Sequence, residues 1–514
     1  MKNRFFLKIS SILLVLLLLS PLFCACQSAK PEPAPESIPS PLPVFNGEEI
    51  RFFASTEGML SRSIMLGEDD DPTLTVNAAT KKRNEQLQKE LNVSISMKVQ
   101  PMSGAYYEPL PSILAADINT YDVVAFYQYF DMGLAFTDTN SGRAPFYNLN
   151  DMPKESYLDL SASCWDSRYN RTLSYKDVCY FATGDLSQAY SATMFVSYVN
   201  LDLWAQFADQ IKTLPHSGGY SDPYELVEKG YWTLDLWMEL CKLCYKDDGD
   251  GTHDYEDRCG FMTYNKQLNN IMADMILAGS HATWSSIDSA GNVSIEIDSP
   301  KNVQIYQKLY QLLCLSDAVT IPWIGGADGE EGHYILDIFA DGSVLLNVNT
   351  LFQAAEYLKD MKDDYAIMPL PLFDHGQFNE ALPSGGYATQ IGDSVALYGI
   401  CSSVSLERLP AVTATLQRMA ELSTEIVVPA LYSTVLGPNA ERDLEMICFI
   451  RAGLYSDFVW IWASELGNFT WKFRMQYDEV DKIERNLLDW DRNATGLYTG
   501  KLLYKLEKYF ADQK

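Results

Sequence analysis

The densest cluster of metal-ligating side chains is the run Asp247-Asp-Gly-Asp-Gly-Thr-His-Asp-Tyr-Glu-Asp257. Alternating carboxylates around a glycine suit a hard cation such as calcium, which gathers oxygen ligands from one sharply turning loop. With Gly251 at the turn, Asp248, Asp250, Asp254 and Asp257 fall on ligand positions, and Thr252 offers its carbonyl. The opening position falls on Lys246, where the calcium-loop pattern wants Asp. A structural calcium ion and a solvated acidic turn both stay open for this loop. No cofactor is otherwise required.

Other reactive residues point to packing. Cys241 and Cys244 continue a helical pattern of Leu234, Trp237 and Met238, so their spacing puts both thiols on a buried face. No second Cys-x-x-Cys occurs and the 5 His residues are scattered, which argues against zinc. There is no Gly-x-Ser-x-Gly elbow and no Gly-rich phosphate loop ending in Lys-Ser/Thr. A glycoside hydrolase would need two carboxylates facing across the scissile bond. Acids are abundant, yet no short motif sets such a pair.

The elements that must position these residues form a large body. The chain has 514 residues, too many for one ordinary core, and a net charge of −29. That charge argues against a nucleic-acid binder, which needs a basic surface. Ile50-Arg-Phe-Phe-Ala reads as a strand, and Ala78 to Leu91 as a helix with Leu87 and Leu91 inward and Lys81, Lys82, Arg83, Glu85 and Lys89 toward water. Val93 to Val99 alternates like a strand, and Tyr121-Asp-Val-Val-Ala is a short apolar run of the buried, parallel type. This order is α/β. A second unit opens with the strand Met194 to Val199. Helices begin at Leu201 and at Tyr231-Trp-Thr-Leu, where Thr233 is the N-cap. Tyr365-Ala-Ile-Met-Pro-Leu-Pro is a strand stopped by prolines, Leu406 to Leu422 is helical, and helices fill the chain from Arg442 on. Trp204, Trp237, Trp460 and Trp462 sit in helical patterns and belong to the core.

The first residues assign a compartment. Lys2, Arg4 and Lys8 precede the apolar stretch Ile9 to Phe23, which is short for a membrane span and fits a secretory signal. It ends in Leu22-Phe23-Cys24-Ala25-Cys26. This resembles a bacterial lipoprotein signal, and the resemblance implies removal of residues 1–25 and lipidation of Cys26. An uncleaved anchor is the alternative. Residues 27–46 hold six prolines among Ser, Ala and Glu, the composition of a solvated tether.

Several stretches taken in order resemble extracellular solute-binding proteins of sugar-type ABC importers, related to the maltose-binding protein. They are Asn77-Ala-Ala-Thr-Lys-Lys-Arg-Asn with Lys89-Glu-Leu-Asn-Val, Tyr121-Asp-Val-Val, Ala182-Thr-Gly-Asp185 with Phe195-Val-Ser-Tyr-Val-Asn200, and Gly230-Tyr-Trp-Thr-Leu-Asp. Phe339-Ala-Asp-Gly, Tyr365 to Pro371, Pro429-Ala-Leu-Tyr and Arg442-Asp-Leu-Glu-Met446 continue the series. The resemblance implies a two-lobed, periplasmic-binding-protein-like α/β fold of type II, with a hinge of crossing segments and a ligand cleft between the lobes. Lobe 1 would be 47–187 plus 369–428, and lobe 2 would be 188–368 plus 429–514. It implies a non-enzymatic, lipid-anchored monomer on the outer face of the cell membrane. That monomer captures a carbohydrate, an oligosaccharide for preference, by lobe closure and passes it unaltered to the transmembrane permease subunits. A ligand-binding sensor or adhesion subunit would share the fold, and a secreted hydrolase is the remaining alternative. The family often carries an Asp/Gly loop where Asp247–Asp257 lies.

A sugar cleft wants flat aromatic platforms for C–H faces and polar side chains for hydroxyls. Tyr127, Trp284, Trp323 and Tyr387 lie in or beside expected loops and are the expected stacking residues. Asp185, with Tyr190 shortly after it at the lobe crossing, is the expected hydroxyl partner.

Overall fold

The structure is a computed structural model that describes residues 42–55, 59–100, 109–265, 271–322, 334–392 and 395–510. Strands β1 (Glu48–Ser55), β2 (Val93–Gln100) and β3 (Val123–Tyr127) come first. Then follow β4 (Phe195–Asn200), β5 (Cys259–Tyr264), β6 (Ser285–Ile287), β7 (Val293–Ile295), β8 (Val319–Ile321), β9 (Val344–Thr350) and β10 (Tyr365–Met368). Strands β11 (Thr389–Gln390), β12 (Ala396–Ile400) and β13 (Leu454–Tyr455) come last.

Two sheets divide the protein. One has the order β12-β3-β1-β2, with β1 parallel to β2 and β3 and with β12 antiparallel at the edge. Ile50, Phe52, Phe53 and Ala54 are all buried, so β1 is covered on both faces, while Arg51 between them is partly exposed and pairs with Asp122. The other sheet has the order β10-β4-β9-β5-β8, and every residue of β4 is buried. The late strand β12 completes the early sheet, so the chain visits the second sheet and returns. Its two passages are fastened together. Ala182 and Tyr398 exchange backbone hydrogen bonds of 3.1 and 2.9 Å, and Met194 pairs with Ile391. These are crossing segments of the kind that join two lobes.

Helices cover both sheets. Thr233 caps the helix Leu234–Cys244 by accepting from the amide of Leu236, and Cys241 and Cys244 face the core as their spacing predicts. Trp204, Trp237, Trp460 and Trp462 are buried. The C-terminal helices pack on elements next to both sheets. Phe469 and Phe473 meet Trp284 and Tyr306, while Trp462 stacks on Phe136 at 5.3 Å and Phe510 tilts onto Tyr180 at 4.8 Å.

One expectation is overturned in the helix Thr75–Leu91. Arg83 does not face water: it is 0% exposed. Its guanidinium donates to the carbonyls of Ser63 and Ile64 at 2.6 and 2.7 Å, to Ser423 Oγ at 3.0 Å, and to Asn84 Oδ1. Ser63 and Ile64 end the helix Met59–Ile64, where free carbonyls and the helix dipole favour a cation. Arg83 also lies four and eight residues before Leu87 and Leu91, on their stripe.

Candidate functional site

A cavity of about 800 Å³ opens where the crossing segments meet the C-terminal helices. Its lining is drawn from the segments 161–168 and 281–283, from Asp185 and Tyr190, from the segment 382–388, from Thr424, Val428 and Tyr432, and from 451–455. Local backbone chemistry brings them together. Asp166 caps the helix Ser167–Leu173 with Oδ1, which accepts from the amides of Arg168 and Tyr169 at 2.9 and 3.0 Å. Its Oδ2 accepts from the Tyr190 hydroxyl at 2.6 Å. Gly184 lets the turn at Cys164–Trp165 approach closely, since a Cβ there would collide with the Cys164 carbonyl. Gly453 does the same against the Tyr387 carbonyl.

The floor is a buried ion pair. Asp185 is 2% exposed, and its Oδ1 meets the guanidinium of Arg451, at the end of the helix Ala440–Ala452. Asp185 Oδ2 accepts from Thr424 Oγ1 at 2.7 Å. Thr424 lies in a π-helical turn over Ser423–Val427, a wide turn of the kind that often marks functional sites. Arg451 also donates to Ser191 Oγ and to the Tyr432 hydroxyl, both at 3.1 Å, and lies over the Tyr190 ring. Burial pulls its pKa down, but Asp185 and the neighbouring tyrosines outweigh that and hold the guanidinium well above its ordinary value. The second cation, Arg168, donates to the Ala452 carbonyl at 2.6 Å and lies 3.8 Å from Asp166. Burial and the facing Asp166 hold the Tyr190 hydroxyl protonated, so it donates to that carboxylate.

No protein-family model matches the chain, and no curated protein matches it. Solved structures do. The sugar-binding protein MalE from Xanthomonas citri is 11% identical with a TM-score of 0.55, over 89% of this chain and 99% of that one. A cyclo/maltodextrin-binding protein complexed with maltotetraose is 12% identical with a TM-score of 0.54, over 88% and 98%. An ABC substrate-binding protein from Listeria monocytogenes, in complex with cycloalternan, is 15% identical with a TM-score of 0.51, over 88% and 99%. The chain has the two-lobed binding-protein fold. Within that fold, the cavity lies beside the segments that cross between the lobes.

The lining is rich in small hydroxyls: Ser161, Ser163, Ser167, Thr283, Ser384 and Thr424. Of the lining aromatics, Trp165, Tyr190, Tyr387 and Tyr432 are each at most 4% exposed and form the walls, while Tyr455 is half-buried. Such a surface can hydrogen-bond an uncharged, hydroxylated molecule. Both lining carboxylates are engaged, Asp166 by two amides and a phenol, and Asp185 by a guanidinium and a hydroxyl. Neither is set out as the free acid or base that hydrolysis requires.

Of the residues expected from sequence, Asp185 and Tyr387 line the cavity. Tyr387 is a wall residue; its hydroxyl donates to the Val227 carbonyl at 3.1 Å and its ring meets Phe449. Trp284 is 4% exposed, and its ring packs on Phe469 at 5.3 Å and on Tyr306 at 6.4 Å, outside the cavity lining. The cause is Asp457, which draws the segment inward by accepting from the amides of Trp284 and Ser285 and from Ser285 Oγ. Tyr127 is half-buried at the end of β3, also outside the lining. Trp323 and Cys26 lie outside the described residues. Sequence reasoning missed Arg451, Arg168, Asp166 and the row of serines. The Asp before the helix Ser167–Leu173 was a readable N-cap signal, but the partner of Asp185 lies 266 residues away.

In the acidic loop, carboxylate oxygens of Asp247, Asp248 and Asp250 lie within 4.8 Å of one another. Asp257 instead accepts from the amides of Asp248 and Asp254 and from the Tyr245 hydroxyl. Asp254 accepts from the amide of Glu256, and the amide of Thr252 donates to Asp250. The converging set is thus the first three acids, and it includes Asp247 but not Asp254 or Asp257.

Proposed function

We propose that the protein is the substrate-binding lipoprotein of an ABC importer, which captures a carbohydrate between its lobes and hands it unaltered to the membrane permease. The observation that carries this reading is the hydroxyl-lined cavity, floored by a closed ion pair, beside the crossing segments of a two-lobed binding-protein fold. The structures it superposes on include proteins described as binding maltotetraose and cycloalternan. Asp185 Oδ2 and Thr424 Oγ1, whose own proton goes to Asp185, accept from sugar hydroxyls, the lining serines accept and donate, and Tyr387 and Trp165 supply apolar wall. Lobe 1 takes in 47–187 and 369–428, and lobe 2 takes in 188–368 and 429–514, so closure narrows the cavity by hinge motion. The signal at residues 1–25 directs export and is removed, and a lipid on Cys26 with the proline-rich tether to residue 46 holds a monomer on the outer face of the membrane. No helix among the described residues is long and apolar enough to cross it.

The test incubates the purified body, without residues 1–25, with a panel of neutral oligosaccharides. Binding raises the melting temperature, and chromatography recovers the sugar intact. Release of shorter sugars would replace this reading with a hydrolase. A melting temperature unmoved by every sugar would end it.

A further inference from the structure

We propose that the Asp185–Arg451 pair acts as a charge filter on the cavity, admitting uncharged sugars and rejecting sugar acids and amino sugars, with Asp185 the residue that sets the choice. The proposal rests on the sugar-binding reading above and names the class of sugar.

The argument starts from where each charge in the lining goes. Two carboxylates and two guanidiniums line the cavity, Asp166, Asp185, Arg168 and Arg451. The Arg451 side chain is 16% exposed and is matched by an almost fully buried carboxylate. An anionic sugar gains from Arg451 only by displacing Asp185, which strands a buried charge. Arg168 is more open, but its guanidinium sits on the carbonyl of Ala452, at the negative end of the helix Ala440–Ala452, with Asp166 on its other side. His281, on the rim, is kept neutral at pH 7, since desolvation moves its pKa below the ordinary value. A cationic sugar fares no better. Asp166 is occupied by two amides and the Tyr190 hydroxyl, and Asp185 by Arg451 and Thr424. A charge brought onto the floor of this cavity gives up water for groups that already hold their counter-charge. A hydroxyl needs only the serines and threonines already there. The filter therefore works by rejection, as specificity often does.

The pair also predicts how to reverse the choice. Asp185→Asn keeps shape and the contact with Thr424 but removes the charge that satisfies Arg451. The guanidinium is then free to pair with a ligand carboxylate, a contact its fork geometry favours. Arg451→Met combined with Asp185→Asn removes both charges and returns the cavity to neutrality.

The experiment measures affinity by calorimetry for backbone-matched trimers: β-1,4-linked glucose, glucuronate and glucosamine, and α-1,4-linked galactose and galacturonate. Whichever neutral backbone the thermal panel identifies is added with its uronate and its amino congener. The unaltered protein should bind the neutral trimer at least tenfold more tightly than either charged congener. Asp185→Asn should shift the uronate-to-neutral ratio by at least tenfold toward the uronate, and the double variant should restore the original preference. A uronate or amino trimer bound as tightly as its neutral partner by the unaltered protein overturns the filter while leaving sugar binding intact. An Asp185→Asn protein that folds, by circular dichroism, and keeps the neutral preference removes Asp185 from the role. If that variant does not fold, the unaltered protein and the double variant decide. Failure of every sugar, charged or uncharged, overturns the carbohydrate reading and this inference with it.

Discussion

Two buried carboxylates should make the protein more stable at pH 5 than at pH 7. Asp443 accepts from the Tyr224 hydroxyl at 2.8 Å and from the amide of Ile367 at 3.1 Å. Asp457 caps the helix Phe458–Ile461 and fastens Trp284 and Ser285. Burial is the main cause of both shifts, and it outweighs these hydrogen bonds to raise each carboxyl from 3.8 to about 6. A raised folded-state value gives stability that is full below the unfolded value of 3.8 and disappears as pH climbs through about 6. Taking the two values into the linkage relation, each group adds about 1.3 kcal/mol between pH 7 and pH 5, and the two together about 2.7 kcal/mol. Carboxyls held low by partners, such as Glu90 and Asp117, lose their contribution only at lower pH. His281 works in the opposite direction, but equally in every variant, so it cancels in a difference. Urea unfolding at pH 5, 6 and 7 reads the increment directly. Asp443→Asn and Asp457→Asn should each remove about 1.3 kcal/mol of it and the double variant about twice that, leaving what Glu48 and Asp491, also raised by burial, contribute. A variant that keeps the full wild-type increment would refute the assignment of that proton to its carboxyl.

Arg83→Ala removes a fully buried guanidinium and orphans the carbonyls of Ser63 and Ile64; it should lower unfolding stability by about 3 kcal/mol or more, measured by denaturant titration. Trp284→Ala should cost about 3–5 kcal/mol as a core truncation, while Trp284→Phe should leave sugar affinity within twofold by calorimetry, because the ring lies outside the cavity lining. Calcium titration should show no binding tighter than about 0.1 mM, since Asp254 and Asp257 are committed to amides and hydroxyls and only three acids converge; saturating heat at micromolar calcium that Asp250→Ala abolishes would contradict this.

Residues whose role follows from their own periodicity were readable in the sequence. The buried face through Trp237, Cys241 and Cys244, the Thr233 cap and the apolar run of β3 all follow from spacing. Arg83 shows where the same reasoning slips. Its position on the stripe of Leu87 and Leu91 calls for burial, while its charge points to water. The helix-end carbonyls that make burial tolerable belong to another segment, so only the tertiary structure reveals them. The cavity was legible in part for the same reason. Asp185 lies in a crossing recognisable from sequence and lines the cavity, whereas Arg451 and the serines gain their meaning from neighbours far along the chain. The rule that loop aromatics face ligands points Trp284 at the cleft, and the buried carboxylate of Asp457 seats it in the core instead.

The paired passage at Ala182 with Tyr398 and Met194 with Ile391 bears on how the halves can swing. Two backbones tied by such isolated bridges yield to folding about their width more readily than to sliding past each other, because sliding would break the bridges. An opening movement therefore keeps facing residues in step, so that when the jaws come together the same donors meet the same acceptors each time.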